Sequence, residues 1–404
     1  MAYVTFYFQI HQPRRLNEVD LLNFSQGYKE NLEKIYFNDG LNSLVFNRAA
    51  NSCYFPATEI ILANIERFKK TDRPFKVAYS MSGTFIDQCL MFRPELIDLF
   101  KKLADTGCVE FLGETYYHSL ASLYESHDEF IAQTMMHSDK IQKLFGLRPV
   151  TFRNTELLYN NVIAKEVYGM GFKGILTEGL KHILKWRSPD YVYKAKGSDI
   201  KVLLRNYGIS DEIGYRFSHK TITADDFALW LSRITGETCN IFIDYETFGE
   251  HQWRETGIMG FLKYLPDAIL KYQSLLFSTP GEVISACPAR DEIDVYEYST
   301  ISWADLERDS SAWLGNDVQK SAYGIIKDME TQVKKTNNEQ FISIWRNLQT
   351  SDHLYFMCNK WLGDGDVHGY FSHYSSVWKA IGNFFTVLHD FQKAITYKIA
   401  ENIE

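Results

Sequence analysis

Cysteine is sparse in this 404-residue chain and never clustered: the six residues stand at 53, 89, 108, 239, 287 and 358, with no Cys-x-x-Cys pair. That spacing argues against a zinc ribbon or a dithiol redox motif and suits buried free thiols in a reducing compartment. Runs of five or six like charges are missing too, and the net charge is −8. A nucleic acid or an anionic membrane surface is therefore not an expected partner, and the expected ligand is neutral. No segment approaches the ~20 apolar residues of a spanning helix. The opening Met1-Ala-Tyr-Val-Thr-Phe-Tyr-Phe-Gln-Ile-His11 lacks a basic leader and a small-residue cleavage site, so a cytoplasmic location is expected. Neither a Gly-x-Gly-x-x-Gly fingerprint nor a Walker loop is present to support a nucleotide fold.

What the chain has in quantity is apolar and aromatic material. Hydrophobic residues make up 45% of it and aromatics 15%, including 28 Phe and 25 Tyr. This is enough for a large core in one barrel or α/β domain plus a smaller unit. Most Phe belongs in that core, whereas Tyr and Trp also offer the flat faces and donor tips that line sugar grooves.

Tyr3 to Ile10 is rich in β-branched and aromatic residues and breaks at His11-Gln-Pro13, which predicts a first buried strand. Similar short runs recur at 75–81, 109–112, 150–152, 174–177, 201–204 and 240–245. Helical patterns lie between them: 93–105 carries proline in its first turn and stops at Gly107, and Thr223-Ala-Asp-Asp226 has the form of a helix start. Strands alternating with helices predict a parallel sheet, and six or seven such units in about 280 residues favour a closed barrel. After about Ser285 the texture becomes helical, at 323–334, 340–358 and 376–403. The expected architecture is a barrel over 1–285 and a helical C-terminal domain over 286–404.

Two apolar runs deliver an acidic residue to a strand end. In Val150-Thr-Phe-Arg-Asn-Thr-Glu-Leu-Leu158 it is Glu156, and in Asn240-Ile-Phe-Ile-Asp-Tyr-Glu-Thr-Phe-Gly-Glu-His251 it is Asp244. Barrel enzymes keep their chemistry at the C-terminal strand ends, where two carboxylates can act on a glycosidic bond from opposite faces. With 51 Asp and Glu in the chain, position and not composition singles these two out. A salt-bridged or capping role is the competing explanation.

Five short blocks in order give the chain a family resemblance. They are His11-Gln12-Pro13; Gly107 to Leu112 continuing to Glu114-Thr-Tyr-Tyr-His118; Phe152-Arg-Asn-Thr-Glu156; Asp244-Tyr-Glu-Thr-Phe-Gly249; and Ser351-Asp-His353 with Asp364-Gly-Asp-Val-His368. Together they resemble glycoside hydrolase family 57, the α-amylase and 4-α-glucanotransferase group. The resemblance implies an α/β fold, an incomplete parallel (β/α)7 barrel followed by a C-terminal helical domain. It also implies a retaining mechanism on α-glucan or malto-oligosaccharide with no metal or organic cofactor. Glu156 matches the family nucleophile and Asp244 the general acid/base, whose carboxyl groups a retaining enzyme holds ~5–5.5 Å apart. The resemblance also suggests substrate contacts from His11 and support from Glu110. His118, His251, Trp253, Asp352 and His353, within or beside the blocks, are further candidates for the subsites.

One departure stands out: many family members carry tryptophan three residues before the nucleophile, and this chain has Arg153. Its guanidinium plane can lie against a sugar or pair with a carboxylate, and a cation beside Glu156 favours the charged nucleophile. Three other functions stay open at this stage. They are a glucanotransferase using the same pair, a metal-dependent barrel of the deacetylase or class II mannosidase kind, and a non-catalytic glucan-binding protein. Oligomeric state is not legible.

Overall fold

The computed structural model describes residues 1–18, 31–220, 222–360 and 362–402, with side chains excluded for 362–366. Two compact units emerge. The first comprises Met1–Gln12, Val45–Tyr116 and Ile131–Trp303, and the second Pro13–Leu44, Tyr117–Phe130 and Ala304–Glu404. A single cut at 285 does not describe this division. Two segments that leave the C-terminal ends of barrel strands join the second unit, and the first unit continues to Trp303.

The first unit is built on ten strands: β1 Ala2–Ile10, β2 Val77–Met81, β3 Val109–Phe111, β4 Thr151–Arg153, β5 Gly174–Glu178, β6 Tyr193–Ala195, β7 Lys201–Arg205, β8 Thr238–Asp244, β9 Leu275–Phe277 and β10 Glu292–Ile293. Seven of them were expected from the sequence, and these seven close a parallel ring. β1 pairs with β2 and with β8, β2 with β3, β4 with β5, and β5 with β7. The remaining joints are narrow. β3 meets β4 through the Gly113–Phe152 bridge, and β7 meets β8 at Arg205–Asn240. The short strands β6, β9 and β10 were not expected; β6 runs antiparallel to β7, and β9 lies beside Ala2–Val4 at the start of β1.

Alternation along the strands separates two cores. Val4, Phe6, Phe8 and Ile10 of β1 and Ile241 and Ile243 of β8 join Val77, Tyr79 and Met81 in the large cluster packed against helices such as Phe55–Phe68 and Ile258–Leu270. The opposite parity, Tyr7, Ala78, Leu112, Leu176, Leu203 and Phe242, fills the barrel interior. Tyr7 and Phe242 meet edge to face at 5.4 Å there.

Helix Pro280–Ala286, begun by a Thr279–Glu282 capping box, adds Val283 and Ile284 to this interior cluster. Ile284 of this helix packs against Gly174 at the start of β5, and its carbonyl accepts Lys201 Nζ from the start of β7 at 2.5 Å, so the helix belongs to the N-terminal end of the barrel. Glu110 of β3 faces inward and accepts the Gly281 N–H at 2.7 Å. Burial pushes its carboxyl above the usual range.

The second unit is helical. Its elements include Asp317–Asp328, Glu330–Lys335, Glu339–Leu348, Ser351–Tyr355, Leu362–Phe371 and Val377–Glu401. The first two, which share the run expected over 323–334, break at Met329, and the helix over 362–371 was not expected. Inside the unit, buried Glu129 receives both Arg346 Nε at 2.7 Å and Nη2 at 3.1 Å. No helix among the described residues is long and apolar enough to cross a membrane.

The placement of Glu110 generates a prediction. Glu110→Ala should lower stability by about 1–3 kcal/mol, because a buried N–H loses its acceptor, while leaving KM for any saccharide unchanged. Thermal melts and steady-state kinetics on one preparation check this, and a raised KM with an unchanged melting temperature would return Glu110 to the substrate.

Candidate active site

Above the apolar interior layer, the same strand parity gives a polar one. Moving two residues along each inward face leads from Tyr7 to Gln9, from Ala78 to Ser80, from Leu112 to Glu114, from Thr151 to Arg153, from Leu176 to Glu178, from Leu203 to Arg205 and from Phe242 to Asp244. All but Asp244 are buried. Asp244 is half-buried at the end of β8, in register with Gln9 of β1. Glu156 is likewise half-buried amid fully buried neighbours, three residues past the end of β4.

The backbone at Glu156 is unusual. Glu156 and Leu157 both lie in the left-handed region, at φ 55° and 54°. Residues with a Cβ pay about a kcal/mol or more for this, and such strain concentrates at functional sites. The turn is held from several sides. Asn154 Nδ2 donates to the Leu158 carbonyl at 2.9 Å, the Thr115 and Thr155 hydroxyls meet at 2.6 Å, and Ser302 Oγ donates to the Glu156 carbonyl at 2.9 Å.

Ser302 reaches that carbonyl because 300–303 runs against 159–160. Tyr159 and Ile301 exchange backbone hydrogen bonds of 2.9 and 3.0 Å, and Asn160 Nδ2 donates to Thr300 Oγ1 at 2.8 Å. The same docking carries the next side chain to the carboxylate: Trp303 Nε1–H donates to Glu156 Oε2 at 2.6 Å. Sequence reasoning missed Trp303, which lies 147 residues downstream in no recognised block. The only local signal was a tryptophan in a short polar stretch near the start of the expected C-terminal domain.

His11 extends the inward face of β1. Its Nδ1 hydrogen-bonds Ser82 Oγ at 2.7 Å, just beyond β2, so the ends of two neighbouring strands fix the ring. The loop after Asp244 folds back through Gly249, whose φ of +116° and whose approach to the Ser52 carbonyl, 2.1 Å from any added Cβ, require glycine. Glu246 in this loop accepts the Tyr54 hydroxyl at 2.6 Å. Burial, reinforced by the charge of Asp244, pushes its carboxyl up to about 8 against the Tyr54 hydrogen bond. Burial lowers His251 to about 4, which keeps that imidazole neutral at physiological pH. Trp253 is 64% exposed.

Arg153 does not line a subsite. It is completely buried, so no sugar reaches it in this conformation. Glu110 is also set apart, at the helix following β9. His118, Asp352 and His353 belong to the second unit. There the Ser351 N–H donates to the His118 carbonyl at 3.0 Å, and His353 stacks on Phe384 at 5.2 Å. In the last sequence block, Asp364 and Asp366 fall outside the described side chains. His368 is held by Asp305 at 3.1 Å, and for all the burial that opposes its charge, that carboxylate raises it to about 9. Among the described residues, no group of three or more His, Cys, Asp or Glu has the arrangement to hold a metal ion.

A closed parallel barrel with two half-buried carboxylates at its C-terminal strand ends is the framework of a glycosidase. The family model described as Glycosyl hydrolase family 57 matches residues 5–296. A Methanocaldococcus jannaschii protein described as "Putative alpha-amylase" is 44% identical over 412 residues, covering 99% of this chain and 86% of that protein. The chain belongs to glycosyl hydrolase family 57.

Solved structures share the fold. A branching enzyme of this family from Thermococcus kodakaraensis aligns with a TM-score of 0.67 at 13% identity, over 97% of this chain and 90% of its own. A 4-α-glucanotransferase from Thermococcus litoralis aligns at 0.59 and 19%, over 88% of this chain. The present chain spans 51% of that enzyme's length.

The raised Glu246 predicts a pH dependence. A folded pKa of about 8 against an unfolded value near 4.5 means the folded state holds the extra proton. This stabilising contribution is complete below ~4.5 and is lost as pH rises through about 8. Glu246→Gln, which cannot ionise, should lose less stability than the parent between pH 5 and 9, by on the order of a few kcal/mol. Parallel unfolding curves from the two proteins over this range would contradict the assignment.

Proposed function

We propose that this protein is a retaining hydrolase of the α-amylase type. It cuts α-1,4 bonds in α-glucan or malto-oligosaccharide through a glycosyl ester on Glu156, with Asp244 as general acid/base. The observation that carries the reading is the 2.6 Å hydrogen bond from the Trp303 indole to Glu156 Oε2. A strained, half-buried carboxylate that receives an indole N–H is held in one orientation, as an attacking nucleophile must be. The description of the Methanocaldococcus jannaschii relative supports the substrate class.

In the first step the Glu156 carboxylate attacks the anomeric carbon while Asp244, as the acid, protonates the departing glycosidic oxygen. The step requires an ionised Glu156 and a protonated Asp244, the arrangement that two carboxyl groups reach when the charge of one disfavours ionisation of the other. In the second step Asp244, now a carboxylate, takes a proton from water, and the resulting attack on the anomeric carbon releases Glu156. His11, fixed by Ser82 beside the mouth of β1, donates to a hydroxyl of the bound glucose. The scheme uses the protein's own side chains throughout, and the catalytic unit extends beyond 285 to take in Trp303.

Two substitutions separate the roles. Glu156→Gln is nearly isosteric but forms no glycosyl ester, so turnover should fall by several orders of magnitude with the melting temperature preserved. Substantial residual kcat in a clean preparation would remove Glu156 as nucleophile. Asp244→Asn should depress cleavage of maltoheptaose far more than that of an aryl glucoside with an acidic leaving group, because only the first needs the proton. Equal losses on both would remove the acid/base role. Products from maltoheptaose followed over time test the reaction itself: shorter oligosaccharides alone are expected, and early longer products would make the enzyme a glucanotransferase.

A further inference from the structure

Arg153 presents a problem in its own right. Its guanidinium is completely buried, and Nε, Nη1 and Nη2 all lack a hydrogen-bond partner among the described residues. Desolvating a cation without hydrogen bonds is expensive, and a group kept in that condition calls for a reason. Its close neighbour is an aromatic face. The Arg153 guanidinium carbon lies 5.1 Å from the centre of the Trp303 ring, and that of Arg205 lies over the same ring at 5.6 Å.

The two cations differ in an informative way. Arg205 is fully engaged elsewhere: its Nε donates to the Phe242 carbonyl at 2.7 Å, Nη1 to Glu178 at 3.0 Å and Nη2 to Asp211 at 2.6 Å. Its charge is balanced by two buried carboxylates. Arg153 has no such balance, so its field falls on the indole and on the charges around the polar layer. Tyr7 registers this layer: burial raises its phenol, Arg153 opposes that rise, and Glu114 and Asp244 add to it.

We propose that Arg153 is a positioning residue for the nucleophile, acting through Trp303: the buried cation polarises the indole, and the indole N–H grips the Glu156 carboxylate. This deepens the assignment of Glu156 and rests on it. A cation over an indole face draws electron density toward itself and leaves the ring N–H a better donor. The acceptor is an anion, so the bond is charge-assisted and short, as the 2.6 Å distance shows. The burial that keeps sugars from Arg153 also keeps water from screening its field. Arginine in place of the family's tryptophan thus exchanges a stacking wall for an electrostatic support beneath the site.

The test is a double-substitution cycle read on formation of the glycosyl ester. With 5-fluoro-α-glucosyl fluoride, a Glu156 oxygen bonds to the anomeric carbon as fluoride departs, and the adduct is counted by intact-protein mass. Trp303→Phe keeps an aromatic face but has no N–H. It should slow adduct formation roughly 10- to 100-fold, the size of a charge-assisted hydrogen bond, and lower kcat on maltoheptaose with KM little changed. Arg153→Met should slow it about 10-fold, with Arg153→Lys recovering part of the loss. The central expectation is that Arg153→Met adds nothing further in the Trp303→Phe background.

Multiplying effects in the double variant would show that Arg153 acts independently of the indole and would overturn the proposal. A rise in KM alone for Arg153→Met would do the same by making it a sugar contact. If Arg153→Met does not fold, the cycle of Arg153→Lys with Trp303→Phe decides the question by the same criterion. An adduct mapped to a residue other than Glu156 in the parent protein would instead refute the nucleophile assignment, so the two failures are distinguishable.

Discussion

The pleat of a closed parallel sheet is the constraint on which everything else rests. Once β1, β2, β3, β4, β5, β7 and β8 form a ring, every second residue must point inside, whatever its chemistry. In the lower layer this gives Tyr7, Ala78, Leu176, Leu203 and Phe242, which pack as an ordinary core. Two residues further along each strand it gives Gln9, Ser80, Glu178, Arg205 and Asp244. Polar groups stand inside a barrel at a desolvation cost, which Glu178 and Asp211 offset for Arg205 by surrounding its guanidinium. Asp244 is the member of the layer that remains half-open, and it is the one assigned to proton transfer.

Strain and anchoring complement each other at Glu156. The left-handed conformation at two consecutive residues turns the side chain out of the course of β4, and such a turn persists only where its surroundings over-determine it. Here Thr115, Asn154 and Ser302 hold the turn and Trp303 holds the carboxylate. The segment from Thr300 to Trp303 therefore completes the site, although the last strand of the ring ends at Asp244. A boundary at 285 separates Glu156 from the indole that hydrogen-bonds its carboxylate.

The fold was largely legible because its signal is local. Seven short apolar runs, each ending near a turn, marked the ring strands, and the capping box at Thr223 marked a helix start. β6, β9 and β10, which lie off the ring, escaped; length alone was not the reason, since β3 and β4 are as short. Asp244 and Glu156 were picked out because the first ends an apolar run and the second stands three residues past one. Arg153 was read as a surface for a sugar or a partner for a carboxylate, since burial is not a property of one residue's identity. Glu110 was read as support for the site or as an anchor for a loop, since nothing in Gly107 to Leu112 shows that its inward face meets Gly281, 171 residues later.

The sequence by itself determined that strands alternate with helices, which acidic residues stand at strand ends, and that the later part of the chain is helical, because these depend on composition and spacing over a few turns of chain. The tertiary structure decided which of those groups meet. It brought Trp303 to Glu156 through an antiparallel pairing with Tyr159, sealed Arg153 beneath the indole, and raised Glu246 by burying it near Asp244. Each of these depends on distance and dielectric between residues far apart in the chain, and both are set only when the barrel closes.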